Sequence, residues 1–439
     1  MQPATQSHSE DQLGRALLNA REDYVNKRPN TVAAFEQSTE YMPGGNTRTV
    51  LFHGPVPLRI ASGTGCRVTD VDGFQYVNLV GEYTAGLFGH NHPTIRAAID
   101  SALDRGVNLS AHNPNEVELA RLVSERFPSI EKVRFTNSGT EANLLAISIA
   151  RHVTGRNKVL VFDGGYHGGL LYFRGGGIPI NAPFDYVIAP YNDSETSRAL
   201  IRDNADQLAC VLVEPMQGAT GCIPARDGFL EMLRSECDAA ASLLIFDEVM
   251  TSRLSTRGVQ GLLGITPDMT TLGKYIGGGM SFGAFGGRAD IMDLFDPRRG
   301  DAIPHAGTFN NNSLTMAAGV AAMREVLTDD ALNAINQRGE ALRTSLNAMA
   351  RDRGVALQFT GWGSLLAMHS KQGDIYSSRD LNDCDDRVTE LLFLDLLDAG
   401  FYMARRGFMA LMLPLGDAEI SAFIASFDRI LEQRGPLLR

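Results

Sequence analysis

Lysine is scarce in this chain. Of its 40 basic residues 35 are arginine and five are lysine, and one of the five, Lys274, sits in Thr271-Leu272-Gly273-Lys274-Tyr275-Ile276-Gly277-Gly278-Gly279-Met280. A cation kept for solubility would be arginine, as almost everywhere else in the sequence, and would not be wrapped in glycines and apolar residues. Arginine is effectively always protonated, whereas a desolvated lysine loses its proton and attacks a carbonyl to form a Schiff base. The segment therefore offers a nucleophilic amine, with a lysine capping a loop as the plainer alternative.

Three more runs carry chemistry. After Val133-Arg134-Phe135 comes Thr136-Asn137-Ser138-Gly139-Thr140-Glu141-Ala142, a small-residue turn leading into an apolar helix. Such a turn presents unpaired backbone amides and the positive end of the helix dipole, with the Ser138 and Thr140 hydroxyls as extra donors, and so suits a phosphate. A plain helix cap would read the same way. The run Val159-Leu160-Val161-Phe162 ends in Asp163-Gly164-Gly165-Tyr166-His167-Gly168, which sets an aromatic ring among glycines where it can stack on a flat molecule. His167, like His90, His92 and His112, reads as a hydrogen-bonded structural histidine, because no second ligand is spaced to share a metal. Two further apolar runs end in carboxylates, Glu214-Pro215-Met216-Gln217 and Asp247-Glu248-Val249. Asp247 directly after a buried strand is costly to desolvate without a cationic partner, and a protonated pyridine nitrogen is one. A hydrolase with paired carboxylates is the competing use of Glu214 and Asp247, but it employs neither the phosphate turn nor the lysine.

These residues need a scaffold that brings strand ends together. Apolar runs at 132–135, 159–162, 186–189, 209–213 and 242–246 are each separated by a helix-sized interval, the signature of a mostly parallel α/β sheet, in which ligands bind beyond the carboxyl ends of the strands. Residues 11–40 carry a helical pattern that stops at Met42-Pro43-Gly44-Gly45, and Val71-Asp72-Gly73 reads as a hairpin turn of the Asp-Gly type. Helices are expected near 331–353, 380–399 and 417–434, with strands at 357–360 and 408–412. The expected division is an N-terminal segment 1–92 belonging to a small α+β lobe, a large domain 93–330 and a C-terminal part 331–439 that joins the same small lobe.

A formal net charge of −11 with mixed signs argues against nucleic acid and for small metabolites as partners. Five cysteines without metal-ligand spacing suggest reduced thiols in a cytoplasmic protein. No apolar run is long enough to span a bilayer.

The order phosphate turn, aromatic, aspartate, lysine resembles the class III aminotransferases of fold type I, which depend on pyridoxal phosphate. The resemblance spans nearly the whole chain through Asn137 to Ala142, Tyr166-His167-Gly168, Glu214-Pro215, Asp247-Glu248-Val249, Thr271 to Lys274 and Gly307-Thr308-Phe309-Asn310. It implies a large, mostly parallel seven-stranded sheet with a small domain built from both termini. It also implies that Lys274 binds the cofactor as a Schiff base and shuttles the substrate proton, that Asp247 holds the pyridine nitrogen, and that Val249 and Tyr166 cover the two ring faces. Ser138, Gly139 and Thr140 would hold the phosphate, with Thr308 arriving from the other subunit of a homodimer; Glu214 and Gln217 are further cofactor-side candidates.

Within the class the sequence looks most like β-amino acid aminotransferases of the β-phenylalanine type, through Tyr41-Met42-Pro43-Gly44, Arg48-Thr49-Val50-Leu51-Phe52, Glu82-Tyr83-Thr84-Ala85-Gly86 and Gly307 to Asn312. Next come glutamate-1-semialdehyde aminomutases, and an ω-amine transaminase is a further alternative. The first resemblance implies transfer from a β-amino acid to 2-oxoglutarate or pyruvate, with Arg48 and Arg406 binding substrate carboxylates. Arg405, an extra cation beside Arg406, leaves open which of that pair serves.

Overall fold

The computed structural model describes residues 4–438, with side chains from residue 12 onward. Its centre is a seven-stranded sheet formed by β1 (Lys132–Thr136), β2 (Lys158–Phe162), β3 (Asp185–Ala189), β4 (Leu208–Val213), β5 (Leu243–Asp247), β6 (Met269–Gly273) and β7 (Gly283–Gly287). The spatial order is β1-β7-β6-β5-β4-β2-β3. Strand β7 runs antiparallel to both neighbours, and the pairs from β6 across to β3 are parallel.

Helices on both faces explain why the strands are apolar without alternation. Every residue of β4 and β5 is buried. Val159, Val161, Leu212 and Ile245 pack with Ala142 and Ile147 of the helix Gly139–Thr154. Their sequence neighbours Leu160, Phe162, Val211 and Phe246 point the other way, against Phe229 and Leu233 of the helix Phe229–Ala240. The five strands expected from apolar runs are present within a residue or so of their expected bounds, and the seven-stranded sheet implied by the resemblance is there. The runs did not disclose β6 and β7. The sequence of β7, Gly283-Ala284-Phe285-Gly286-Gly287, lacks a strand-like composition for a steric reason: a Cβ on Gly283 would stand 2.1 Å from the Ser138 carbonyl oxygen. Glycine lets β7 pass directly beneath the turn that the sequence offers to a phosphate.

A second core joins the two ends of the chain. Strands Ile60–Thr64, Arg67–Asp70 and Gln75–Asn78 form an antiparallel ribbon, and Phe401–Tyr402 adds to it in parallel, with Phe401 opposite Val77. Leu13, Leu17 and Tyr76 share their core with Leu391, Phe423 and Phe427. The N-terminal helical pattern splits into Ala4–Lys27 and Pro29–Thr39 at Pro29, which opens the second helix. The hairpin is longer than a two-residue Asp-Gly turn. Asp70 and Phe74 close it through a 2.9 Å backbone bond, and Gly73 takes a φ of +92°. The expected helix at 380–399 starts later, at Asp386, because Ser377 and Asp380 cap a separate short turn over Ser378–Leu381.

Candidate active site

Strand β6 runs into Lys274, whose backbone is left-handed with a φ of +53°. That conformation is disfavoured for a side-chain-bearing residue. It turns the chain off the sheet end and sends the ammonium into the cleft between the lobes, where Nζ donates a 2.8 Å hydrogen bond to the carbonyl of Tyr83. Burial pulls the amine down to about 8, against the opposing pull of Asp247 and Glu214 and with the help of Arg406 and Arg253. A substantial neutral fraction near physiological pH is what a nucleophilic amine needs.

Asp247 ends β5 and is 4% exposed. Its Oδ2 accepts from Asn143 Nδ2 at 2.9 Å and from His167 Nδ1 at 2.8 Å, and its Oδ1 accepts from the Val249 amide at 3.0 Å. Asn143 also donates to the His167 carbonyl at 3.1 Å and accepts from the Thr271 hydroxyl at 2.7 Å. One side chain thus ties together the helix after β1, the loop after β2 and strands β5 and β6. Sequence reasoning gave Asn143 no role, and it read His167 as a hydrogen-bonded structural histidine without naming Asp247 as its partner. The available signal was an amide on the sheet-facing, otherwise apolar side of a helix, where a polar group must find partners.

Ser138 caps the helix Gly139–Thr154 by accepting from the Glu141 amide at 3.2 Å. First-turn amides of a helix have no intrahelical acceptor, so those of Gly139 and Thr140 are available to an anion. Val249 closes over this turn, with Cγ2 3.0 Å from where a Cβ on Gly139 would lie. The loop after β2 approaches from the other side, and Gly169 donates its amide to Thr140 Oγ1 at 3.3 Å. Tyr166 leaves its ring 41% exposed, edge-on to Tyr172 at 5.4 Å. Its amide donates to Glu214 Oε1 at 2.8 Å, and Glu214 Oε2 takes the Gly218 amide at 3.1 Å. Burial pushes the Glu214 carboxyl up to about 7. Gln217 donates its side-chain N–H to the Asp163 carbonyl at 2.9 Å and keeps its side-chain oxygen buried without a partner.

The candidate arginines flank the same cleft. Arg48 forms an ion pair with Glu82. Arg406 donates to the Ala219 carbonyl at 2.7 Å and lies over the rings of Tyr83, at 5.2 Å, and Phe408, at 5.7 Å. Arg405 turns away to Glu390, at 2.7 Å, a carboxylate it shares with Arg21. Of the pair, Arg406, and not Arg405, therefore packs on the turn that holds Lys274. Thr308 is exposed on the loop before the helix Ser313–Ala321, and Asn310 in that loop accepts from the Asn137 side chain at 3.0 Å. Sequence reasoning used Glu82 to Gly86 as a mark of resemblance and gave it no role, yet the turn Gly81–Thr84 carries both the carbonyl that holds Lys274 and the carboxylate that holds Arg48.

An amine of lowered basicity, a buried carboxylate whose one ion-pair partner among the described residues is His167, and a helix N-terminus open to an anion meet at the carboxyl ends of a mostly parallel sheet. That donor set fits pyridoxal phosphate, which brings an aldehyde, a basic ring nitrogen and a phosphate on one flat molecule. The chain belongs to the class III aminotransferases, whose family model, Aminotransferase class-III, matches residues 52–175 and 177–431. It is a pyridoxal-phosphate-dependent transaminase of fold type I.

Among curated relatives, β-phenylalanine transaminase of Variovorax paradoxus is 52% identical over 426 residues, covering 97% of this chain and 98% of that protein. The crystal structure of the β-phenylalanine aminotransferase from that organism superposes with a TM-score of 0.96 over 97% of this chain and 99% of that one. An ω-transaminase of Sphaerobacter thermophilus is 36% identical with a TM-score of 0.86, covering 92% of this chain and 97% of the other. A glutamate-1-semialdehyde aminomutase of Pseudomonas aeruginosa, 24% identical with a TM-score of 0.89 over 97% of this chain and 98% of its own, shares the fold.

Proposed function

We propose that this transaminase moves the amino group of a β-amino acid with an aromatic or aliphatic side chain to a keto acid such as 2-oxoglutarate or pyruvate. The observation that carries this reading is the position of two guanidinium groups around one turn. Arg48 pairs with Glu82 and Arg406 lies over the Tyr83 ring, while the Tyr83 carbonyl holds Lys274 Nζ at 2.8 Å. Guanidinium groups pair bidentately with carboxylates, and a β-amino acid sets its amine one carbon farther from the carboxylate than an α-amino acid does. Preference for one over the other then depends on where the arginines stand relative to the lysine. The 52% identity to a β-phenylalanine transaminase supports the same choice of donor.

The cofactor, when bound, supplies an electron sink for the substrate carbon that loses its proton. The chain supplies the rest. Lys274 Nζ would carry the covalent attachment and move the proton, while Asp247, oriented by Asn143 and His167, would offer its negative charge to the ring nitrogen. Ser138, Gly139 and Thr140 would receive the phosphate. Val249 and Tyr166 would cover the two ring faces, and Gln217, with Glu214 bracing the Tyr166 loop, would offer its unpartnered oxygen to a ring substituent.

Thr308 belongs to a site shared across a homodimer, an arrangement that the exposure of Phe309 at 57%, Phe52 at 45% and Tyr41 at 79% favours. We propose the division at residues 92/93 and 330/331 as the domain plan; the shared core of the two chain ends supports a small lobe built from both. Among the described residues no helix is long and apolar enough to cross a membrane. The five free thiols favour a cytoplasmic location.

The test is a donor panel of β-phenylalanine, phenylalanine and 1-phenylethylamine, each with and without 2-oxoglutarate. β-Phenylalanine should be the best donor and should need the acceptor, which separates transamination from an isomerase. Arg48→Ala should raise its KM by roughly 10- to 100-fold, the loss of a charge-assisted pair. Dominant turnover of 1-phenylethylamine that Arg48→Ala leaves untouched would overturn the reading.

A further inference from the structure

Four consecutive residues, Gly81 to Thr84, are left-handed, with φ values of +52°, +50°, +50° and +84°. Three of the four carry side chains, and such a run persists only where surrounding contacts over-determine it. Here they do. Gly81 abuts the Ala410 carbonyl, 2.4 Å from where a Cβ would sit, and the Gly86 amide closes back on the Gly81 carbonyl at 2.9 Å. The Tyr83 ring stacks on Phe408 at 5.3 Å, and its hydroxyl donates to the Val50 carbonyl at 3.1 Å. The turn is thus fixed against both the C-terminal strand and the segment that carries Arg48. It aims one carbonyl at Lys274 and the neighbouring carboxylate, that of Glu82, at Arg48.

The two arginines of the cleft are not equivalent. Arg406 has an aromatic face and a backbone carbonyl as partners, and no carboxylate among the described residues. Arg48 has Glu82, and both side chains of the pair are about half exposed, at 45% and 53%. A half-exposed ion pair is weak enough to exchange.

Resting on the reading of Arg48 as a donor-carboxylate site, we infer that Glu82 is a specificity-determining residue, an internal carboxylate that neutralises Arg48 when the substrate brings no carboxylate there and yields when one does. Arg48 stands in two cases: with a substrate carboxylate opposite it, or, when the site is empty or holds an amine without one, with none. Glu82 keeps the guanidinium paired in the second case. Its removal should therefore act with opposite signs on two ligand classes.

The experiment compares the loaded wild-type enzyme with Glu82→Gln, Glu82→Ala, Arg48→Ala and the double variant Glu82→Gln/Arg48→Ala. The probes are 3-phenylpropanoate, a carboxylate without an amine, titrated by calorimetry, and 1-phenylethylamine, an amine without a carboxylate, followed by its KM. Both Glu82 variants should bind 3-phenylpropanoate about two- to fivefold tighter, the scale of a competing half-exposed pair, and 1-phenylethylamine at least about twofold more weakly. In the Arg48→Ala background, Glu82→Gln should leave 3-phenylpropanoate binding unchanged. If both probes shift in the same direction, Glu82 only braces the turn and the inference falls by itself. If Arg48→Ala leaves 3-phenylpropanoate binding as it was, the donor-site reading and the inference fall together.

Discussion

Replacing Asn143 by leucine tests whether the network around Asp247 is what holds the centre of the site. Leucine has the same branched skeleton of side-chain heavy atoms as asparagine and more bulk, so none of the expected effect comes from a cavity. What disappears is the donor to Asp247 Oδ2 at 2.9 Å, the donor to the His167 carbonyl at 3.1 Å and the acceptor of the Thr271 hydroxyl at 2.7 Å, all around a side chain that is 1% exposed. A hydrogen bond to a charged group contributes about 1.5–3 kcal/mol, and a buried hydroxyl left without a partner costs about 1–3 kcal/mol. Part of this returns through the added apolar burial, so a net loss of about 3 kcal/mol is expected. With an unfolding entropy of about 2.1 cal/mol/K per residue, a chain of this length loses roughly 1 °C of Tm per kcal/mol, so calorimetry should record a drop of about 2–4 °C. The less constrained carboxylate should also let the cofactor go faster, which dialysis followed by an absorbance reading measures. A variant within about 1 °C of the parent that also retains the cofactor as well would refute the argument that Asn143 orients Asp247.

Lys274→Arg keeps the charge but removes the only group at that position able to lose a proton, and it should cost about 10²–10⁴ in turnover, as should Lys274→Ala. In the parent, borohydride reduction should abolish the visible band and the activity together; a variant that transaminates like the parent would remove the lysine from the mechanism. Because the Lys274 amine is lowered to about 8, the rate at which the cofactor-free protein takes up pyridoxal phosphate should rise about tenfold per pH unit below that value and level above it. An ordinary lysine would give a rise that continues towards pH 10, so stopped-flow loading across pH 6–10 distinguishes the two. Gly283→Ala forces a methyl group to within 2.1 Å of the Ser138 carbonyl, and since the obstruction is backbone the cost should reach the upper part of the usual 1–3 kcal/mol range, about 3 kcal/mol, with weakened cofactor retention as the phosphate turn shifts. Unchanged Tm and retention in that variant would mean that the close approach is not rigid.

Much of the centre was legible in the chain because its signals are local. A strand reads as an apolar run, a helix start as Ser138-Gly139-Thr140, and Asp247 and Lys274 announce themselves by standing where a charge is expensive or where arginine would otherwise be used. Their order along the sequence was enough to define the class of chemistry. Tertiary structure alone decided the rest, because the remaining features depend on what stands opposite a residue. Gly283 reads as a strand breaker until the Ser138 carbonyl is seen against it. Arg405 and Arg406 are indistinguishable in sequence, and only Glu390 on a neighbouring helix draws the first away while Tyr83 and Phe408 hold the second in the cleft. Glu82, Tyr83 and Thr84 give no local hint of left-handed backbone, since nothing in their side chains favours it. Contacts from the C-terminal strand and from the Arg48 segment impose that turn, and through it the fold places a carbonyl on the lysine and a carboxylate on the arginine.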